Sequence, residues 1–235
     1  MSNAPHRRPF ITAVYSGKGG VGKTTLVAGL SATAGTLYPG QVLALDVDPR
    51  QASLGVHAAI TAKRNDPHYE CRADTNPEHL RMLGHVSLPL IFVDLPGNLD
   101  RRDLFAPVAA EANVLLIPTS DSGLDMQQTI ATYRYVLDVA KNERPTDRPP
   151  LHIRVVINNM DAQYPARIAK MRGTLAKRAV PVLDTAVNYR RALANCVRDG
   201  VPITDYTEPG AGLAKLQLYE LLQELMRLNR EAVNA

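Results

Sequence analysis

One short loop near the amino terminus constrains this chain more than any other feature of its sequence. Residues 17–24 read Gly-Lys-Gly-Gly-Val-Gly-Lys-Thr and fit the spacing G-x-x-x-x-G-K-[ST]. A β-rich apolar run at 10–15 precedes the loop, and a helical pattern at 24–33 follows it. Glycines let backbone N–H groups approach phosphate oxygens, and the amino terminus of a helix attracts anions. The loop and its context therefore predict a site for the phosphates of a nucleotide.

The side chains of this loop indicate which ligand it holds. Lys23 is expected to neutralise the β- and γ-phosphates, and the Thr24 hydroxyl is expected to coordinate Mg²⁺. ATP and Mg²⁺ are therefore the predicted cofactors; the alternative is a glycine-rich turn with an incidental lysine. The predicted nucleotide contacts in the loop are Gly19, Gly20, Val21, Gly22, Lys23, Thr24 and Thr25.

Apolar runs alternate with amphipathic patterns along most of the chain. Strands are predicted at 41–45, 90–93, 114–118, 151–157 and, as a short last one, 180–183, and helices at 125–141, 165–177, 189–198 and 213–228. Continuous apolar strands between helices predict an α/β fold, with a mostly parallel twisted β-sheet flanked by helices on both faces. Short helices and loops are expected at 49–88. Residues 1–235 are predicted to form a single domain, in which residues 1–9 are a flexible basic tail.

Three aspartates follow predicted strands. Asp46 and Asp48 come at the end of the strand at 41–45, and Asp94 ends the strand at 90–93. Because ligands of open α/β sheets bind at the carboxyl ends of the strands, these acids are candidate ligand-binding residues. The alternatives are surface acids at a strand end and, for Asp94, a helix cap.

The first lysine of the loop carries a resemblance to a known family. Lys18, followed by Gly-Gly-Val-Gly-Lys-Thr-Thr, resembles the deviant Walker A loop of the ParA/MinD family of P-loop NTPases. The resemblance is closest to the small plasmid-partition ParA type, which lacks an amino-terminal helix-turn-helix domain. It implies an ATPase that forms a nucleotide-sandwich homodimer, in which Lys18 reaches the partner's phosphates as an arginine finger does. Residues 45–51 are similar to the family's D-x-D-P-Q segment, from which they depart at Arg50.

The same resemblance implies roles for the three aspartates. Asp48 is expected to position the attacking water. Asp46 is expected near the magnesium, and Asp94, in a segment similar to a Walker B strand, is expected to hold Mg²⁺ through water. The implied catalytic residues are Lys18, Lys23 and Asp48, and the implied metal ligands are Thr24, Asp46 and Asp94.

Residues for the nucleotide base come from two further similar segments. Residues 157–159 resemble the strand end where an asparagine meets adenine, and Pro202 lies in a segment that matches the region closing over the base. Asn158 and Pro202 are therefore expected to contact the adenine, although Asn158 and Asn159 also fit an ordinary turn. Residues 117–119 and 124–125 resemble the segment that follows the fourth strand, with no role implied.

The net charge of +4 is concentrated in one segment of the chain. Residues 165–198 contain eight basic residues and a single acid, Asp184. Such a cluster predicts a polyanionic partner, and the family resemblance implies non-specific DNA binding by the ATP-bound dimer. The alternative is a solvated helix face with structural ion pairs. The candidate DNA contacts, expected on one edge of the sheet, are Lys177, Arg178, Arg190 and Arg191.

Other patterns narrow the setting of the protein. Cys71 and Cys196 have no metal-binding spacing, which indicates a reducing compartment. There is no run of about 18 apolar residues to span a membrane. The helix at 213–228 contains Glu220 and Glu224 and few lysines, so it is predicted to pack on the core rather than on a membrane. A cytoplasmic, nucleoid-associated protein without a membrane partner is expected.

Three functions are compatible with this sequence. The first is a DNA-segregation ATPase, whose ATP-bound dimer binds DNA and is released when a ParB-like activator stimulates hydrolysis. The second is the same ATPase cycle positioning a non-DNA cargo, such as a protein microcompartment, a chemoreceptor cluster or the division site. The third is a metabolic ligase or iron–sulfur reductase on the same fold, which the cysteine spacing disfavours.

Overall fold

A computed structural model describes residues 8–48, 54, 68–97, 101–120 and 123–234. The strands are β1 (Phe10–Val14), β2 (Val42–Asp46), β3 (Glu70–Ala73), β4 (Leu90–Asp94), β5 (Val114–Thr119), β6 (His152–Met160) and β7 (Val182–Asn188). The helices are α1 (Lys23–Leu37), α2 (Pro77–Leu80), α3 (Arg102–Glu111), α4 (Gly123–Glu143), α5 (Pro165–Ala176), α6 (Arg191–Asp199) and α7 (Ala211–Asn234). Single 3₁₀ turns lie at Leu83–His85 and Ile203–Asp205.

The strands form one parallel sheet in the order β3-β2-β4-β1-β5-β6-β7. Successive side chains of a strand point to opposite faces of the sheet. In β1, Phe10 and Val14 therefore belong to one core cluster, and Ile11 and Ala13 belong to the other. The first cluster includes buried residues of α1, α6 and α7, and the second includes buried residues of α3 and α4. The predicted α/β sheet with helices on both faces is therefore confirmed.

Two elements differ from the sequence-based prediction. β3 lies in the stretch where helices and loops were expected, at an edge of the sheet where Glu70, Arg72 and Ala73 are exposed and leave no apolar pattern. α3 was not predicted, because Pro107 lies inside it and proline lacks the N–H that a helix interior uses.

Residues 1–7 of the expected tail lie outside the described residues, whereas Arg8 forms an ion pair with the buried carboxylate of Glu111.

Side chains from α5 and α7 cover the backbone of the edge strand β7. The Glu224 carboxylate accepts hydrogen bonds from the backbone N–H groups of Asp184 and Thr185, at 2.7 and 2.9 Å. Arg172 donates to the carbonyl oxygens of Leu183 and Asp184. Backbone N–H and C=O groups that already have partners do not template pairing with another chain. The edge of the sheet at residues 183–185 is therefore protected by side chains.

Replacing Glu224 tests this protection. Glu224→Ala leaves two edge-strand N–H groups without their carboxylate acceptor, and we expect the free energy of unfolding to fall by about 1–3 kcal/mol. Glu220→Ala, on the exposed face of the same helix, is the matched control and is expected to change stability by less than about 0.5 kcal/mol. Urea unfolding followed by circular dichroism measures both; equal effects would contradict the role of Glu224.

Candidate functional site

The loop between β1 and α1 has the backbone conformation that a phosphate site requires. Gly20 and Gly22 have φ values of 76° and 88°, in the left-handed region that favours glycine. Gly22 is the N-cap of α1, no side chain caps this terminus, and the first turn contains no acidic residue. The amino-terminal N–H groups and the positive end of the helix dipole are therefore available to an anion, as the sequence predicts.

The predicted metal ligands come together at the carboxyl ends of two neighbouring strands. Asp46 and Asp94 are directly opposite each other in the parallel pairing of β2 with β4, and both side chains are buried. The Thr24 hydroxyl, from the first turn of α1, donates a 2.6 Å hydrogen bond to Oδ2 of Asp94. The other oxygen of Asp94, Oδ1, is buried without a hydrogen-bond partner. Two carboxylates and a hydroxyl are the hard oxygen ligands that Mg²⁺ prefers.

This ligand set suits a metal ion that is shared with a nucleotide. Among residues 8–48, 54, 68–97, 101–120 and 123–234, no group of three or more His, Cys, Asp or Glu side chains is arranged to hold a metal by itself. Mg²⁺ keeps several waters and is usually held by one or two carboxylates together with substrate phosphates. The residues present therefore fit an ATP–Mg²⁺ complex better than a resident metal.

Burial dominates the electrostatics beneath the loop. Burial, with a smaller contribution from the neighbouring carboxylate of Asp46, raises the pKa of Asp94 to about 7 against the opposing hydrogen bond from Thr24. Burial lowers the pKa of Lys23, while the carboxylates of Asp94 and Asp48 oppose this shift. A nucleotide–Mg²⁺ complex supplies both charges that this region lacks: a cation for the carboxylates and an anion for the lysine.

Two further groups hold the predicted catalytic residues in place. The backbone N–H of Asp48 donates to Oδ1 of Asp46 at 3.0 Å, which fixes the turn that follows β2. Nζ of Lys23 lies close to the backbone of Gly97, where a Cβ would be only 2.8 Å away from it. Residues 49–51, where the sequence departs from the family pattern at Arg50, lie outside the described residues.

Lys18 has a partner within its own chain. Its ammonium group forms a salt bridge with the Asp125 carboxylate in the first turn of α4, and Ser120 also donates a hydrogen bond to that carboxylate. The Asp125 side chain is 2% exposed, whereas that of Lys18 is 43% exposed. No role is predicted for Asp125 or Ser120 from the sequence. An acid one turn into a helix carries no signal of its own, and only the packing of α4 brings it to the loop.

The two residues predicted to meet the base are both buried. The Asn158 side chain is turned towards the phosphate loop, where its Nδ2 donates a 2.7 Å hydrogen bond to the carbonyl oxygen of Val21. Pro202 is buried just before the 3₁₀ turn Ile203–Asp205. Their contacts with adenine remain a prediction.

The candidate DNA contacts lie at the two ends of the edge strand β7, and their contact with DNA stays a prediction. Lys177 and Arg178 follow α5, before β7 begins, whereas Arg190 and Arg191 follow the end of β7. The seven residues of β7 separate the two pairs by about 20 Å, because a strand rises about 3.3 Å per residue. Lys177, Arg178 and Arg191 are exposed, and Arg190 is half-buried.

The two cysteines do not provide a reactive thiol. Cys71 and Cys196 are free thiols, and burial raises the pKa of each to about 12, which makes them poor nucleophiles at neutral pH. The helices within the described ranges include none that is sufficiently long and apolar to cross a bilayer.

Known proteins resemble this chain over most of its length. Residues 12–203 match the CbiA family, described as the CobQ/CobB/MinD/ParA nucleotide binding domain. The maintenance of carboxysome distribution protein A of Gloeobacter kilaueensis is 29% identical over 223 residues, which cover 93% of this chain and 95% of that relative. The protein of the same name from Halothiobacillus neapolitanus is 28% identical over 221 residues, covering 93% and 97%. An ATP complex of a Cyanothece McdA variant has a TM-score of 0.68 at 14% identity, covering 93% of this chain and 96% of that structure.

The raised pKa of Asp94 predicts a pH-dependent effect of its replacement. The unfolded aspartate has a pKa near 4, so between about pH 4 and pH 7 the folded chain holds a proton that the unfolded chain has released. Stability from this group therefore falls as the pH rises through that window. Without metal or nucleotide, Asp94→Asn is expected to raise the melting temperature more at pH 8 than at pH 5.

Differential scanning fluorimetry of the metal-free protein at both pH values measures this effect. Asp138→Asn, at an exposed position of α4, controls for the loss of one surface carboxylate. An equal shift of the melting temperature at pH 5 and pH 8 for Asp94→Asn would contradict the burial of a carboxyl with a raised pKa. With ATP and Mg²⁺ present, the same variant is expected to lose most of its hydrolysis, because a neutral amide is a weaker magnesium ligand.

Proposed function

The chain belongs to the CobQ/CobB/MinD/ParA family of nucleotide-binding domains, and on this premise we propose that it is an ATPase whose nucleotide cycle positions a protein cargo. Family membership confirms the predicted ParA/MinD relationship, and the ATP complex of the Cyanothece McdA variant supports the predicted ATPase class and ATP–Mg²⁺ cofactor pair. The choice of cargo rests on a single observation, namely that two relatives named for carboxysome distribution each match 93% of this chain. This is the second of the functions considered from the sequence, and it is better supported than DNA segregation.

In the proposed cycle Lys23 and the amino terminus of α1 would bind the phosphates of ATP, and Thr24, Asp46 and Asp94 would hold Mg²⁺. Bound ATP–Mg²⁺ would supply the phosphoanhydride bond whose hydrolysis drives the cycle. Asp48 orients the attacking water from the turn that Asp46 fixes. All of these residues belong to one chain and lie around the same loop, so each subunit can bind its nucleotide alone.

Lys18 links nucleotide binding to dimerisation in the proposed cycle. In the single chain Lys18 is bound to the buried Asp125, so reaching a partner's phosphates requires that salt bridge to open. Opening it leaves a buried carboxylate with the Ser120 hydroxyl as a donor, which has a free-energy cost. The γ-phosphate of a partner subunit offsets this cost only when ATP is bound. We therefore expect the homodimer to form with ATP and to separate after hydrolysis, when a partner protein accelerates that step.

A basic surface favours DNA as the matrix on which this dimer acts. α5 contains the exposed residues Arg167 and Lys170 and no acidic residue, and Lys177 and Arg178 extend the basic run past its end, whereas Arg172 binds the backbone of β7. Exposed cations spaced along a helix neutralise DNA phosphates without reading sequence. DNA segregation, with DNA as the cargo and a ParB-like activator, is the second candidate and rests on this same surface. Arg190 and Arg191 form a separate candidate contact beyond the other end of β7.

Nucleotide-dependent DNA binding tests the matrix part of the proposal. We expect the purified chain to bind a mixed-sequence duplex with ATP and Mg²⁺, and to bind it weakly with ADP or no nucleotide. Raising the salt concentration is expected to weaken the complex steeply, because phosphate contacts release counterions. Lys177→Glu with Arg178→Glu, compared with Arg190→Glu with Arg191→Glu, shows which pair contributes. Absence of binding under every nucleotide condition would remove DNA from both candidate functions.

Deleting the gene in its source organism separates the two candidates. Cargo positioning predicts that a protein assembly loses its regular distribution in the cell while plasmid and chromosome retention are unchanged. DNA segregation predicts the opposite pattern, with loss of the DNA over generations. Fluorescence imaging and plasmid-retention counts in the same strain measure both.

Two variants test the proposed division of labour in the cycle. Asp48→Ala is expected to bind ATP, to accumulate as a dimer and to hydrolyse ATP about 100-fold more slowly, because the water is no longer positioned. Lys18→Ala is expected to bind ATP and to remain a monomer. Size-exclusion chromatography with light scattering and a phosphate-release assay measure these outcomes, with Asp138→Ala as an exposed control. Normal hydrolysis by Asp48→Ala would show that another residue positions the water.

A further inference from the structure

We propose that Asn158 is a positioning residue for the phosphate loop: its side-chain amide holds the Val21–Gly22 peptide in the orientation that binds phosphate. This inference rests on nucleotide binding by the loop and is independent of the cargo. It adds a role to a residue that the family resemblance places at the adenine.

The side chain of Asn158 is committed to the loop by burial and by a hydrogen bond. Asn158 belongs to β6, and β5 lies between β6 and the strand β1 that leads into the loop. Its side chain nevertheless reaches the loop, where Nδ2 donates to the carbonyl oxygen of Val21 at 2.7 Å. Asn158 is only 4% exposed, and Val21 is also buried. In such surroundings an unpaired amide or carbonyl is costly, so this bond is retained.

Close packing reinforces the hydrogen bond at the next residue. A Cβ added to Gly22 would lie 2.5 Å from Nδ2 of Asn158, which is closer than any real side chain permits. Gly22 also has a φ of 88°, so glycine is required here for its conformation and for the space that the amide occupies. The amide of Asn158 therefore lies directly against the backbone at the start of α1.

The consequence for phosphate binding follows from the planarity of the peptide. In a trans peptide the carbonyl oxygen and the next N–H point to opposite sides. Because the Val21 carbonyl oxygen is turned towards Asn158, the N–H of Gly22 is directed away from it. Without the amide, the Val21–Gly22 peptide is free to rotate, and a rotated peptide presents a carbonyl oxygen where the phosphate needs a donor.

The neighbouring asparagine has the opposite character and provides the internal control. Asn159 is exposed and has a φ of 59°, at an irregularity where the register between β6 and β7 shifts. Asparagine tolerates this left-handed conformation better than most residues. The exposed Asn159 is therefore the control for an asparagine that stands at this strand end without being buried against the loop.

The experiment compares three ligands that share phosphates and differ in the base. Affinities of wild type, Asn158→Ala and Asn159→Ala for ATP, GTP and inorganic tripolyphosphate, each with Mg²⁺, are measured by calorimetry or by competition. Asn158→Ala is expected to weaken tripolyphosphate binding about tenfold, from loss of one buried hydrogen bond, and to weaken ATP and GTP binding at least as much. In hydrolysis assays it is expected to raise KM for ATP more than it lowers kcat. Asn159→Ala is expected to leave tripolyphosphate affinity unchanged.

Selective loss of ATP affinity in Asn158→Ala, with tripolyphosphate bound as in wild type, would overturn the proposal in favour of a base contact. Unchanged affinity for all three ligands would overturn it as well, whatever the melting temperature does. Asn158→Leu keeps the approximate size of the side chain, adds no charge and cannot donate, so it is expected to repeat the loss of tripolyphosphate affinity if the alanine variant folds poorly. Wild-type ATP binding in the same titration tests the ATPase premise separately, because the inference concerns only the ratio of variant to wild type.

Discussion

The buried carboxylate pair at the ends of β2 and β4 is the constraint on which the rest of the site depends. Asp46 and Asp94 are fixed opposite each other by strand register, both buried, and burial disfavours the charged form of Asp94. Thr24 and Lys23, from the helix that follows the loop, supply a hydroxyl and a cation to this pair. The arrangement is electrostatically incomplete, and a magnesium ion carrying phosphates is the ligand that completes it.

The phosphate loop is supported on two sides by elements that are distant in the sequence. On one side α4 holds Lys18 through Asp125, and it also places Thr132 at 3.4 Å from the backbone N–H of Gly17. On the other side β6 holds the Val21 carbonyl through Asn158. The loop is thus shaped before a nucleotide arrives, which lowers the entropic cost of binding. The two supports differ in accessibility, since Asn158 is buried and Lys18 is partly exposed and able to change partners.

The predicted nucleotide-binding residues are separated in this fold from the residues that would contact other macromolecules. Asp46, Asp94 and Asn158 are buried at the carboxyl ends of the strands, where any change alters the site. The cations Lys177, Arg178 and Arg191 are exposed, at both ends of β7, where substitution leaves the core untouched. A common ATPase cycle can therefore serve different cargoes, because surface residues vary without disturbing the buried set.

The sequence by itself determined the phosphate loop, the two carboxylates and the α/β class, because these depend on local spacing and on apolar strands that end in acids. Asp46 and Asp94 needed only their strand ends to be located, and parallel pairing then placed them together. β3 and α3 were missed because an exposed edge strand and a helix containing proline lack the usual patterns. The partner of Lys18, the direction of the Asn158 amide and the separation of the basic pairs were decided only by the tertiary structure. Each depends on how α4, β6 and β7 pack beside the loop or apart from each other, and contacts between residues more than 100 positions apart leave no local signal in the chain.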